Sequence, residues 1–587
     1  MRDTMNENWS LDALYTGYED PKFINDLQAY KQLSNDYHNI LDTLSHDNDI
    51  QSVKAIIQHM SVFAELEYRL FAYVNLRQSV NTIEQEAASY LSQLSTINTK
   101  TSKTNAAMQR FITEITDISS VLQDEELQEY QYFIQKIYDN KVYLLSNDVE
   151  EVLQKMDMSG GKGWDMLQSY LTSTLETTFQ GRNVTLSELR NLAYEKDETL
   201  RKQAYEAELK AYDTIKGSVA FALNNIKQQV NTECSLRGFP SALDMTLYQS
   251  NMKKETLEAL MSAIEEYLPV FWKYLRRKAE LLNHKNGLPW YDLFAPIGEA
   301  NQTFTVESAK AYLIKHFTPF AKDLADMVET AFDDAWIDFY PRKGKVSGAF
   351  CYNLPMIKES RILTNFDGSL SDVVTLAHEL GHAYHGKMIE NHKILNTDYS
   401  MPVAETASTF NENIIMNAAI EDADKVSKIT LIESQLQDIT QIICDIYSRF
   451  LFEKEVFQRR EESFLFPEEL ENIMLETQKK AYGDGLDHNY LHPYMWVCKG
   501  HYYSSSLSYY NFPYAFGGLF ARGLIVKYEQ LKDEFPQRYR QLLHATTISD
   551  VEDVAKLMDI DLTSKDFWIS SLETVKKRID EFLVLTE

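Results

Sequence analysis

A chain of 587 residues, 44% apolar and 12% aromatic, has the length and composition to bury a large core in several structural units, which excludes intrinsic disorder. Its formal charge of -29 repels phosphate backbones and anionic lipid, so nucleic acid and membrane are disfavoured as partners. Four scattered cysteines (Cys234, Cys351, Cys444 and Cys498) form no CxxC pair, which excludes a disulfide framework or a cysteine zinc site and suits a reducing, cytoplasmic setting.

The opening 1–15 has no basic n-region followed by an apolar stretch, so no signal peptide is expected. No run of about 18 apolar residues occurs, so no membrane span is expected. Gly and Pro number only 20 and 13, which favours long helices over turn-rich sheet. Residues 24–158 read as long amphipathic helices, with apolar residues recurring at three and four. The glycine-dense 159–163 reads as a loop or hinge. Thr185-Leu-Ser-Glu188 matches a capping box and predicts a helix to about Tyr212. An organisational boundary is placed there, dividing the chain into 1–199 and 200–587.

Residues 286–306 are rich in Gly, Pro and Asn and read as loop. The short apolar stretches 345–354 and 361–366 predict two strands of a small sheet. Ser369 or Ser371 then caps a helix from Asp372 to about Glu390. Most of the remainder reads as helical, with loops near 391–400, 483–500 and 511–518.

Chemistry concentrates in His378-Glu-Leu-Gly-His382 on that helix. Histidines four apart share one face, about one turn apart, so both imidazoles can reach one tetrahedral Zn²⁺ at about 2.0–2.1 Å. Glu379 supplies a general base in the same turn. Gly381 costs about 1 kcal/mol relative to Ala inside a helix, which is tolerable where another element approaches closely. A catalytic zinc needs a third protein ligand. A further His six residues after His382 is lacking, since that position is Met388. His385 shares the face but has poor geometry for the same ion and reads as packing or as an orienting group. Ser400-Met401-Pro402 starts a following helix on which Glu405 and Glu412, seven apart, face one way. One can bind metal while the other orients a ligand His; Glu405, among small neutral neighbours, is the favoured ligand.

HELGH followed by Ala404-Glu-Thr-Ala-Ser-Thr-Phe-Asn-Glu412 resembles the oligoendopeptidase F and thimet oligopeptidase family of zinc peptidases. The segments 9–14, 344–350 and 559–568 also look like oligoendopeptidase F, so the resemblance spans essentially the whole chain. It implies His378, His382 and Glu405 as metal ligands for one Zn²⁺ per chain, Glu379 as catalytic base and Glu412 as the acid behind a ligand. It also places a His and tyrosines near the metal. Here these are similar to His501 and Tyr514 of the segment 501–517, with Tyr509 and Tyr510 as alternatives for a further donor, of which Tyr510 is carried forward. Neutral hydroxyls beside an imidazole suit a developing oxyanion.

The fold the resemblance implies is mainly α, a large multi-helix, two-lobed clam-shell of zincin type. A small β-sheet lies beside the active-site helix, and a deep central channel admits only short peptides. Residues 1–199 would form part of one lobe and 200–587 the catalytic region. The segment 347–350 reads as strand able to pair with an extended peptide. The expected protein is a zinc oligoendopeptidase, a monomer or small homo-oligomer. A carboxypeptidase or dipeptidase of similar zinc chemistry, and a non-catalytic zinc protein that binds peptides, are the alternatives.

Overall fold

The computed structural model describes residues 6–298 and 302–587; the first five residues of the segment read for a leader, and part of the 286–306 loop, lie outside them. Helix accounts for 72% of the chain and strand for 4%, which makes the fold mainly α as expected. No helix among the described residues is long and apolar enough to cross a membrane. The chain forms two compact units that alternate along the sequence: residues 1–142, 302–415 and 531–558 in the first, 143–301, 416–530 and 559–587 in the second. The boundary read at residues 199 and 200 falls in the first turn of the helix Glu198–Arg237, inside the second unit.

In the first unit the N-terminal helices Pro21–Asp36, Asp49–Val80 and Gln85–Thr113 follow the predicted periodicity. Their apolar stripes meet in a core that includes Phe23, Tyr30, Tyr73 and Leu94, all at most 1% exposed. Asn48 caps the second of them by accepting the Gln51 N–H. The chain breaks at Asn81–Glu84, between the second and third of these helices.

The small sheet of this unit has three strands. Glu359–Leu363 lies in the middle, antiparallel to Phe350–Leu354 and parallel to the two-residue strand Ile337–Asp338. The predicted 345–354 strand begins only at Phe350. Gly348 has φ +81°, and the Asn365 amide donates to the carbonyls of Val346 and Gly348 at 3.0 and 2.8 Å, folding 346–348 into a bend. Of the segment 347–350 read as strand, only Phe350 lies in one, at the start of the edge strand Phe350–Leu354. The helix Leu370–Ile389 packs on this sheet at Gly386, where a Cβ would overlap the Asn353 side chain.

In the second unit, the predicted capping box at Thr185 and Glu188 is present, but its helix ends at Asn191. The long helix that follows, Glu198–Arg237, has its own cap, Asp197, and stops at Gly238 with φ +82°. Just before Thr185 lies an unforeseen hairpin, Glu176–Phe179 with Arg182–Thr185. Of the 159–163 stretch read as loop or hinge, Ser159 and Gly160 are turn, whereas Gly161 starts the helix Gly161–Ser173, and a Cβ there would meet Ser505 at 2.2 Å. The predicted 511–518 loop is also helix, because Phe512–Leu531 takes Pro513 into its first turn.

Candidate metal centre and active site

The helix Leu370–Ile389 is fixed at its start by Ser369 and Asp372, which form a capping box. Two turns on, His378 and His382 present their rings side by side, with centroids 5.0 Å apart and planes at 80°. Opposite them the chain makes a short helix, Met401–Ala404, breaks at Glu405 (φ -94°, ψ 10°) and resumes as Thr406–Asp422. Glu405 was expected inside a continuous helix. The break instead turns its carboxylate toward both imidazoles.

Glu405 Oε2 stands 3.3 Å from His378 Nε2 and 3.3 Å from His382 Nε2. Donors each about 2.0–2.1 Å from a tetrahedral zinc are separated by about 3.3–3.4 Å. Two of the three ligand separations thus match a zinc tetrahedron, and the two-nitrogen, one-carboxylate donor set is one such an ion accepts. All three donor atoms lie within 4.8 Å of one another. The residues fit the metal that the sequence implies. Glu412 Oε2 meets the other nitrogen of His378, Nδ1, at 3.3 Å, and so fixes the ring with Nε2 facing Glu405. Ser408, a residue the sequence reading passed over, donates to Glu405 Oε2 at 2.6 Å. A Ser three residues after an acid, at the head of a helix, is the signal that could have revealed it.

Gly381 performs the role inferred for it: a Cβ there would meet the Ala407 carbonyl oxygen and Ser408 Cα, each at 2.5 Å. Only glycine lets the Glu405 segment come this close. His385 is fully buried, stacked on Tyr399 with centroids 4.4 Å apart and bonded through Nε2 to Thr546 Oγ1 at 2.8 Å. It is a packing residue. Burial pushes its pKa down to about 3.

The electrostatics follow from two carboxylates facing two imidazoles. Burial opposes a charge on His378, but Glu405 and Glu412 outweigh it and push its pKa up to about 10. For Glu405, burial works against ionisation, and the bonds from His378 and His382 reverse it, holding the carboxyl well below its usual range. Glu379 is 6% exposed and has no hydrogen-bond partner among the described residues. Its burial raises its pKa, the direction that suits a base working near neutrality.

These five residues lie in the first unit; His501, Tyr510 and Tyr514 lie in the second. There His501 is flanked by both tyrosines, with its ring centroid 5.0 Å from Tyr510 and 6.0 Å from Tyr514. Tyr510 and Tyr514 are 5.5 Å apart. Tyr509, the alternative to Tyr510, instead packs its ring 5.6 Å from Phe450 and 5.5 Å from Phe457, and is 3% exposed. Burial, then the nearby Arg449 and Lys499, lowers the pKa of His501, which favours the neutral ring. A second grouping of possible metal donors, Glu198, His284 and Asp292, also lies in this unit. The Asp292 oxygens are taken up by Arg201 at 2.7 Å and His284 at 2.6 Å, so the group reads as an ion-pair network.

A helix-borne pair of histidines, a carboxylate from the break between two following helices and a buried acid beside the histidines are the groups a metallopeptidase uses. Residues 191–574 match peptidase family M3, and 114–176 match the N-terminal region described as oligopeptidase F. The chain belongs to peptidase family M3. It is 25% identical to group B oligopeptidase PepB of Streptococcus agalactiae, over 91% of this chain and 90% of that one. It is 24% identical to oligopeptidase PepF of Bacillus subtilis, over 98% and 86%. The crystal structure of oligoendopeptidase-F from Enterococcus faecium shares the fold, with a TM-score of 0.73 at 20% identity, covering 96% of this chain and 98% of that one.

Proposed function

We propose that this chain is a zinc-dependent oligoendopeptidase that hydrolyses internal bonds of short peptides, with His378, His382 and Glu405 holding one zinc ion per chain. When bound, the ion polarises the scissile carbonyl and acidifies a water. Glu379 takes the proton of the attacking water on a carboxylate oxygen and delivers it to the leaving amine. Glu412 keeps His378 in the tautomer that offers Nε2. His501, Tyr510 and Tyr514 donate hydrogen bonds to the oxyanion that forms from the carbonyl. Losing one such donor typically costs about 10²–10³ in turnover.

The observation that carries this reading is the convergence of Glu405 on both imidazoles at 3.3 Å, with Glu379 buried and unpaired beside them. A zinc protein without catalysis has no use for a buried free acid in that position, which disfavours the binding-only alternative. The four cysteines are unpaired, which supports a cytoplasmic setting. The acidic surface disfavours nucleic acid as a partner, and a monomer or small homo-oligomer suffices for the chemistry.

The test is cleavage of quenched fluorescent peptides blocked at both ends. Internal cleavage that stops with chelator and returns with zinc is expected. Cleavage of free-ended peptides alone points to an exopeptidase, and no cleavage of either removes the enzymatic reading.

A further inference from the structure

We infer that Glu453, paired with Lys227, is a positioning residue that sets where Tyr510 stands beside His501; the inference rests on the proposed role of Tyr510 as an oxyanion donor. Glu453 lies on the helix Ile446–Arg460 and Lys227 on Glu198–Arg237. Both side chains are 1% exposed, and Lys227 Nζ donates to Glu453 Oε1 at 2.7 Å. A buried ion pair stabilises little by itself, because desolvation offsets most of the attraction. This one has further work. Glu453 Oε1 also accepts the backbone N–H of Tyr509 at 3.1 Å, and Oε2 accepts Asn511 Nδ2 at 2.9 Å. Those two residues are the chain neighbours of Tyr510 on either side, so one carboxylate clamps both flanks of the tyrosine.

The clamp has a conformation to hold. Tyr509 has φ +53°, a left-handed backbone that a bulky residue keeps only when its surroundings over-determine it. The Asn511 N–H donates to the Tyr509 carbonyl at 2.6 Å, closing a tight turn. Asn511 Oδ1 accepts the Phe512 N–H at 2.6 Å, at the start of the helix that carries Tyr514. The left-handed residue sends neighbouring side chains different ways. Tyr509 goes into the Phe450 and Phe457 packing, and Tyr510 goes to His501. An ionised carboxylate suits the task because both its oxygens only accept. A glutamine there would aim an amide donor at a donor.

The test uses the full chain with Glu453→Gln/Lys227→Met, which removes both charges together, Tyr510→Phe, and all three changes combined. Steady-state cleavage separates kcat from KM. A fluorotyrosine placed at position 510 reports its setting by fluorine NMR without any turnover. The charge-removing pair is expected to lower kcat about tenfold or more, since small misplacements of a reacting group are costly. KM should hold within about twofold, and the variant should cause no further loss in the Tyr510→Phe background. The single fluorine line of the parent should broaden or split. Equal losses in both backgrounds, or unchanged kcat with an unchanged line, overturn the inference. If Tyr510→Phe alone leaves kcat intact, the oxyanion role fails. The fluorine line then decides the clamp by itself: a changed line upholds it, and an unchanged line removes it. Asn511→Ala, which leaves the ion pair in place, carries the same readouts if the charge-removing pair does not fold.

Discussion

Replacing Gly381 by Ala should loosen the metal centre without unfolding the helix that bears it. A methyl at this position meets the Ala407 carbonyl oxygen and Ser408 Cα at 2.5 Å, and the Ser408 nitrogen at 2.7 Å. Carbon contacts settle at about 3.5–4.0 Å, so the facing backbone must retreat by ~1 Å. All three atoms are backbone, and no side-chain rotation relieves them. That backbone follows Glu405 directly, so the retreat carries Glu405 away from imidazoles it now meets at 3.3 Å. Metal ligands hold their distances to within about 0.2 Å, a fifth of the displacement.

Stability responds differently. Alanine gains about 1 kcal/mol of helix propensity over glycine, and overpacking costs about 1–3 kcal/mol. The metal-free variant should therefore lie within ~2 kcal/mol of the parent. Zinc affinity should fall at least about tenfold, the scale seen when the groups around metal ligands are disturbed. Competition against a chromogenic chelator measures the affinity, and thermal unfolding in chelator measures the fold. A folded Gly381→Ala chain with parental zinc affinity refutes the argument.

Glu379→Gln should keep its zinc by metal analysis and lose about 10²–10⁴ in cleavage rate, the usual contribution of a general base. Glu405→Ala should abolish stoichiometric zinc, whereas Glu412→Ala should weaken binding by about 10–100-fold, as expected for a group that only orients a ligand; the reverse order in equilibrium dialysis would exchange their roles. The pKa of His378 is pushed up to about 10, so in the metal-free chain its contribution to stability is full below about 6.5 and fades as pH rises toward 10. Unfolding midpoints of chelator-treated protein across that range should fall for the parent and stay flatter for His378→Ala. Tyr509→Phe should leave kcat within about threefold, because its ring is spent on packing, while Tyr510→Phe should lose one oxyanion donor.

The helix Leu370–Ile389 and the facing pair His378 and His382 were legible in the sequence, because spacing within a single turn dictates which side chains share a face. Gly381 was legible for the same reason, as a local cost that only a close neighbour repays. The break at Glu405 was not. Met401-Pro402 announces a helix start and Thr406 to Glu412 continues a helical pattern, and no residue type between them signals the non-helical φ and ψ at Glu405. Glycine and proline misled where tertiary packing used them. Gly161 and Gly518 are small because Ser505 and Ile442 press on them, and Pro513 sits in a first turn where its missing N–H costs nothing. The hairpin at Glu176–Thr185 did leave a trace. Gln180-Gly181, both with positive φ, lies between Thr- and Val-bearing stretches, the pattern of a two-residue turn.

Glu405 and Glu412 show why spacing alone could not assign the two acids. Seven residues apart, both face the histidines, and either could have closed the metal site. The non-helical backbone at Glu405 separates them: it brings one carboxylate to both Nε2 atoms and leaves the other to meet Nδ1 of His378 from behind. Two carboxylates against two imidazoles carry the formal charge that a dication cancels. Protons can cancel part of it too, and Glu405 and Glu412 outweigh burial to raise the pKa of His378. An ion held by this proposed donor set would compete with protons. Zinc uptake should release them, and affinity should weaken as the medium becomes more acidic. Glu379 stands outside that neutralised group. Its one charge is left over in a buried site, and burial raises its pKa, the direction the proposed role as base calls for.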